Sequence, residues 1–351
     1  MLALQLDRTR ASLLRAALRY TLLRRWYAVN ETRLFGGFLF FCAFYAPIAL
    51  RRSDLLLFWG PFLFGYPHVL ASYRFLQPRP RLCGLTPFVY FALVTAVSMA
   101  LHYLAVQRGW IPELPFGAWE VAAAALAAMV ARGRPLFLCG AGAWLLWQSS
   151  WLDPLAFAAF ALLFHNWVAF FSWVRAARGP GRRLALSCTA IFGLIHVVVF
   201  AGWADFLMMP NLAVLEASVR ETSTVLSPWT PDPAVGYRAV VLYTFGLSLH
   251  YFVWLKALPE CRLRVPLSWR RSFETLARDF GRTGLGIATL VVGAGLAVSC
   301  YRPSLGARIY FEIATLHGWL EVMFLLAGVR FQVLSMGRAE SQRKNLEPYE
   351  T

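Results

Sequence analysis

The stretch LDPLAFAAFALLFHNWVAFFSWV, residues 152–174, carries no charged side chain between Asp153 and Arg175. A bilayer crossing needs roughly 17–25 predominantly apolar residues, so the segment reads as one span. An adjacent pair of strongly polar groups interrupts its middle, His165 and Asn166. Ionisable rings inside a bilayer are rare and normally face the protein interior. The same segment therefore fixes the class of fold and shows where chemistry is to be sought.

Working outward, the whole chain has the same character. Of its 351 residues 59% are hydrophobic and only 15% charged, with a mean hydropathy of +0.54. Soluble domains carry about 25% charged residues. The expected fold is an all-α, polytopic integral membrane helical bundle. Ten apolar stretches can be drawn: 34–50, 55–73, 84–106, 118–131, 135–151, 152–174, 184–207, 237–257, 284–300 and 309–330. The count is about ten, and eight to ten remain open, because 118–131 is short and 135–151 runs almost directly into 152–174.

The formal net charge of +16 does not point to nucleic acid, because the basic residues sit in short clusters between apolar runs. With the N-terminus inside, 27 Arg and Lys side chains fall on the cytoplasmic side. Arg51, Arg52, Arg108, Arg220, Arg238, Arg302 and Arg308 fall on the other. That asymmetry is the positive-inside rule, and it favours an even number of spans with both termini cytoplasmic. Residues 1–33 hold seven arginines and no clean apolar core of a signal peptide. RASLLRAALRYTLLRRWY within them reads as a basic amphipathic helix on an anionic leaflet.

A single transmembrane domain is expected over 34–335, followed by a polar tail at 336–351. It includes an outer, Pro-rich loop at 208–236 and a cytoplasmic amphipathic helix at 262–282. Lys256 and Lys344 are the only lysines beside many Arg, Ala, Leu and Gly, a composition that points to a GC-rich bacterium and so to its inner membrane. The six cysteines are scattered with no C-x-x-C, so neither a zinc ribbon nor a thioredoxin-type pair is signalled.

The histidines carry the functional reading. All six, His68, His102, His165, His196, His250 and His317, fall in apolar stretches. Counted from the cytoplasmic ends of their spans, all except His102 lie at depths of roughly 8–20 Å. In LHGWLE, His317 and Glu321 are one helical turn apart on one face. A lone intramembrane histidine is most simply a helix–helix hydrogen bond. Five at one depth beside a carboxylate point instead to a shared metal site, with His68, His165, His196, His250 and His317 as ligands and Glu321 as ligand, orienting group or proton relay.

Imidazoles with one carboxylate favour iron or copper over magnesium or calcium. Non-haem iron is the expected cofactor, with haem or copper as alternatives. A metal among apolar helices would meet a lipophilic small molecule, in a cavity expected to be lined by Tyr66, Asn166, Tyr251 and Trp254. The reaction class is then oxygen-dependent oxidation, with Glu321 as the catalytic group. Two other readings stay open: a proton-coupled transporter or channel using the same groups as a relay, and a non-catalytic subunit of a membrane assembly.

GYPH, residues 65–68, resembles the Gly-x-Pro-His element of the Brp/Blh family of integral membrane β-carotene cleaving oxygenases. Val69 and Ser72 stand where that family has Gly and Asp, and its H-x-x-x-H pair has no counterpart here. The resemblance implies a multi-span helical oxygenase with histidine-held iron and a carotenoid-like substrate. It carries over one ligand, His68.

Overall fold

Every regular element is helical among the residues that the computed structural model describes. These are 2–17, 19–20, 29–60, 64–73, 93–101, 104, 108, 118–132, 142–146, 148, 154–208, 232–263 and 269–326. His102, most of the 208–236 connection and the 336–351 tail lie outside them, as does much of the stretches at 84–106 and 135–151.

The helices are α1 (Leu2–Ala17), α2 (Asn30–Gly60), α3 (Tyr66–Tyr73), α4 (Ala118–Arg132) and α5 (Pro154–Ala176). They are followed by α6 (Pro180–Phe200), α7 (Pro233–Phe252), α8 (Trp269–Tyr301) and α9 (Pro303–Leu326). The α7 axis continues through a π-helical turn at Val253–Ala257 and a last helical piece, Leu258–Leu263. Among the described residues, three segments are long and apolar enough to cross a membrane: Asn30–Leu57, Pro180–Phe200 and Pro233–Cys261.

Two expected boundaries become kinks. The break expected between 50 and 55 is a departure from helical geometry at Arg52 (φ −143°, ψ 51°) inside α2, where the Arg52 guanidinium pairs with Asp54 at 2.7 Å. In α8 the chain turns at Gly281 (φ 73°, ψ 164°), a backbone region that glycine enters without a Cβ clash. This turn separates the basic amphipathic Trp269–Phe280 piece from the apolar Thr283–Val298 piece. The N-terminal α1 packs against α8, and Asp7 Oδ2 accepts from the Arg270 amide at 2.9 Å.

Two helices organise the packing. Around α7 stand α2, α5 and α6, joined through an aromatic core of Phe38, Phe170, Trp173, Phe192 and Phe252. Phe170 stacks on Phe192 with ring centroids 4.3 Å apart. Around α9 stand α3, α4, α5 and α8. The alanines of α4 (Ala124, Ala125, Ala127 and Ala128) are buried against Leu316, Leu320 and Met323, and small residues of this kind let apolar helices approach closely. Because α5 touches both central helices, the junction of the two clusters falls along α5.

Ion pairs stand towards both ends of the α7 axis. In its second turn, Arg238 Nε donates to Asp205 Oδ1 at 2.9 Å. In the Leu258–Leu263 piece that continues the axis, the buried Glu260 accepts from Lys256 Nζ at 2.8 Å and from Arg33 Nε of α2 at 3.1 Å. Arg238 and Glu260 are separated by roughly 33 Å at 1.5 Å per residue, close to the roughly 30 Å of a hydrocarbon core. His250 lies about midway between them.

Candidate metal centre

The helices that meet at the α5 junction carry four of the predicted histidines. His68 comes from α3, His165 from α5, His250 from α7 and His317 from α9. Local backbone irregularity accompanies two of them. A π-helical step at residues 64–65 precedes His68, and the Val253–Ala257 turn follows His250 and packs against α3. Such π-bulges are frequent at functional sites because they re-aim side chains within a helix. Pro67 occupies the second position of α3, where a missing N–H leaves no intrahelical bond unmade.

Three ring nitrogens and a carboxylate crowd together. His68 Nε2 lies 2.8 Å from His250 Nε2 and 3.1 Å from His317 Nε2. His317 Nε2 lies 2.8 Å from Glu321 Oε1, one turn along α9, and His68 Nε2 is 4.0 Å from the same oxygen. The His165 ring packs against that of His250 at a tilt of 42° with centroids 4.3 Å apart, and its Nδ1 is 3.8 Å from Glu321 Oε2. Two triads share His68: His68 with His165 and His250, and His68 with His317 and Glu321. Within each, the ligand atoms all lie within 4.8 Å of one another.

Hydrogen bonding alone does not account for this cluster. A ring nitrogen offers either one N–H or one lone pair. The single Nε2 of His68 therefore cannot donate to one neighbour and accept from the other. Despite the 2.8 Å approach of His317, neither oxygen of Glu321 has a hydrogen-bond partner among the described residues, and both are buried. An uncompensated buried carboxylate is strongly disfavoured, whereas a cation among these atoms would satisfy it. The spacings also fit: two ligands at right angles and about 2.0–2.1 Å from a metal are about 2.9 Å apart.

Glycine lets the junction close. A Cβ on Gly318 would stand 2.9 Å from His165 Nδ1, and one on Gly246 would stand 2.8 Å from Asn166 Nδ2. Asn166 thus reaches from α5 to donate to the Tyr243 carbonyl of α7 at 3.4 Å, which ties the two helices together beside the imidazoles.

His196 does not join the cluster. Its Nδ1 lies 2.9 Å from the Phe192 carbonyl of its own helix, and its ring packs against Trp167 and Phe192. The span count places His196 at the depth of the others, but its helix, α6, packs on α2, α5 and α7, away from α3 and α9, so equal depth along the chain does not bring it inside.

The expected cavity lining also differs. A cavity of about 40 Å³ borders the cluster, several times what one water needs. Its walls are His68, His165 and His317 with Phe164, Leu247, Tyr243 and Tyr310, and it runs between α5 and α9. His165, with a side chain 17% exposed, is the least enclosed of the four histidines.

Tyr66, Asn166, Tyr251 and Trp254 pack behind the imidazoles and do not line this space. Tyr251 and Trp254 rings lie 5.4 and 6.0 Å from the His68 ring, and Tyr66 packs edge-on against Tyr310. Adjacent residues on a helix point about 100° apart, so a neighbour of a ligand, such as Asn166 or Tyr251, faces elsewhere.

The tyrosines that do line the cavity, Tyr243 and Tyr310, precede His250 and His317 by seven residues. That is two turns along the same face, a spacing readable in the sequence. In comparisons with known proteins, no family model matches the chain, and neither a curated protein nor a solved structure matches it.

Proposed function

We propose that the protein is a membrane-embedded, metal-dependent oxidoreductase of the oxygenase type that acts on a lipophilic small molecule. One observation carries this reading: ring nitrogens from three helices converge on His68 Nε2 at 2.8 and 3.1 Å, beside the buried Glu321 carboxylate, which has no hydrogen-bond partner among the described residues. His68, His250, His317 and Glu321 would hold the metal, with His165 beside them.

Iron suits this donor set, and copper is the alternative. The bound metal would supply one-electron chemistry with dioxygen. Around it the chain's own residues have separate tasks. Phe164, Leu247 and Trp319 give the cavity apolar walls that exclude water, and Gly318 leaves room for the His165 ring. Glu321 offsets the charge of the cation and orients His317 from one turn away. The resemblance at GYPH adds the carotenoid-like substrate class, which rests on His68 alone.

We further propose an arrangement of about ten spans (eight to ten) with both termini cytoplasmic, in a bacterial inner membrane, supported by the distribution of 27 basic residues against seven. A second reading is favoured by the same short contacts. His250, His68, His317 and Glu321 form a continuous string of titratable groups, as a proton relay in a transporter or channel would.

Elemental analysis of detergent-purified protein separates the two. About one iron or copper per chain, lost in His68→Ala, supports the enzyme. A wild type without metal, showing proton flux in liposomes that Glu321→Gln abolishes, supports the relay.

A further inference from the structure

The cavity beside the imidazoles has a closed back and a more open front. His68 and Val69 of α3 and Tyr243 and Leu247 of α7 form the back, and all four are buried. Among the described residues, every partly exposed wall belongs to α5 or α9. These walls include Phe164 and His165 on the first helix and Ala314, Thr315 and Val322 on the second. The cavity therefore reaches the molecular surface between these two helices.

Phe164 marks the mouth. Its ring stacks on that of Phe160 with centroids 4.9 Å apart and lies 6.3 Å from that of Phe171. Phe160 and Phe171 are exposed, and spacings of four and seven residues put all three rings on one face of α5. Phe164 thus belongs at once to an outward aromatic strip and to the cavity wall.

The level of the mouth decides what it meets. His165 stands eleven residues from either end of α5, and Ala314 stands eleven and twelve residues from the ends of α9. At 1.5 Å per residue these separations are roughly 16–18 Å. In a hydrocarbon core roughly 30 Å thick, an opening at that level faces lipid tails and neither aqueous side. An ionisable ring at such depth normally faces the protein interior. The mouth it borders accounts for the partial exposure of His165.

We propose that the cavity opens sideways into the bilayer between α5 and α9, with Phe164 as its threshold, and that its ligand is a lipid-dissolved molecule entering from the hydrocarbon interior. At about 40 Å³ the cavity takes only a segment of such a molecule beside the imidazoles. The remainder lies along the strip of Phe160, Phe164 and Phe171, where apolar contact holds it. The inference rests on the cavity being the substrate cavity of the function proposed above, and on α5 and α9 crossing the bilayer. It adds the route by which the substrate arrives and the side chain that admits it.

The test uses full-length protein in liposomes of phosphatidylethanolamine and phosphatidylglycerol. Two photolabels are compared, a long-chain alkyl diazirine dissolved in the bilayer and a short diazirine sulfonate confined to water. Mass spectrometry maps the adducts, and metal content is measured on the same samples.

Wild type is expected to carry alkyl adducts at Tyr243 and Leu247 inside the cavity and at Phe160 and Phe171 outside it. The sulfonate should leave the interior pair unlabelled. Phe164→Trp and Ala314→Phe narrow the mouth from opposite sides. Both should lose the interior adducts and keep those at Phe160 and Phe171, which report an intact fold in the bilayer. Phe164→Ala should raise interior labelling. Alkyl labelling confined to Phe160 and Phe171 in wild type overturns the proposal. So does sulfonate labelling of Tyr243 or Leu247, or interior labelling that neither narrowing variant lowers. Interior alkyl labelling in wild type that holds no metal would sink the metal reading and leave the sideways opening in place. Metal-replete wild type without interior labelling would do the reverse.

Discussion

Helices α6 and α7 both qualify as membrane crossings, and they invert the rule that holds in water. Over its most apolar window α6 is the more hydrophobic of the two, yet only 22% of that window is buried inside the protein. In α7 the corresponding window is less hydrophobic and 89% buried. In a soluble protein the more apolar helix would be the inner one. In a bilayer the outer face meets lipid, so the outer helix carries the apolar side chains. The inner helix can then carry Thr244, Ser248 and His250, because protein surrounds them. The difference teaches where polar function can reside: His250 of α7 is in the cluster, and His196 of α6 packs against its own helix.

The comparison can be broken first at the two histidines. His250→Ala is expected to reduce bound metal from about one per chain to less than about a tenth of that, since loss of even a ligand's hydrogen-bond partner costs 10–100-fold in affinity. His196→Ala should leave metal content unchanged. Elemental analysis of both purified variants decides it, and equal loss in both would end the distinction between inner and outer helix.

Next in size are the charges that anchor the ends of α7. Glu260 is buried between Arg33 and Lys256. Glu260→Gln leaves those cations uncompensated, and breaking a buried pair destabilises by about 3–5 kcal/mol. Asp54→Asn removes a partner of the exposed Arg52 side chain of α2, where about 0–1 kcal/mol is expected. Thermal unfolding in detergent should show a large downshift for the first variant and little change for the second.

Packing gives a finer contrast. Leu249 on α7 is fully enclosed, whereas Leu194 on α6 is 61% exposed. Leu249→Ala should destabilise by about 2–5 kcal/mol through the cavity it leaves. Leu194→Ala should stay within about 0.5 kcal/mol, because lipid fills the vacated space. Denaturation midpoints of the pair, measured side by side, would expose an error if the two shifted alike.

The smallest effect concerns close approach. Gly246→Ala on α7 places a Cβ 2.8 Å from Asn166 Nδ2 and 3.3 Å from its Cβ, and overpacking of this kind costs about 1–3 kcal/mol. Gly193→Ala on α6 meets only the tip of the Trp167 ring at 3.1 Å, which can shift. The first variant should lower both stability and metal retention, and the second should alter neither appreciably.

Much of the membrane character and part of the site were legible from residue order. The apolar stretches at 118–131, 152–174, 237–257 and 284–300 each coincide with a helix or half-helix to within a few residues. The turn at Gly281 falls where the amphipathic pattern gives way to an apolar one. The division at 50–55 was less legible, because charged residues at a membrane edge look the same in a loop and in a kinked helix.

Among the candidates, His68, His165, His250, His317 and Glu321 come together, while His196 stands apart. Tyr66, Asn166, Tyr251 and Trp254, expected to line a substrate cavity, are not among the walls of the cavity beside the imidazoles. Tyr243 and Tyr310 were missed although their seven-residue offset was visible.

What the sequence by itself determined is position along each helix: how many turns a ring lies from the end of its apolar stretch, which side chains share a face, and which connecting stretches are basic. Those follow from a fixed rise and a fixed angle per residue. What only the tertiary structure decided is which faces meet. The packing of α5 between α7 and α9, the close approaches at Gly246 and Gly318 and the peripheral place of α6 are set by contacts between distant segments. No local periodicity encodes those contacts. Depth is a property of one helix, and convergence is a property of several.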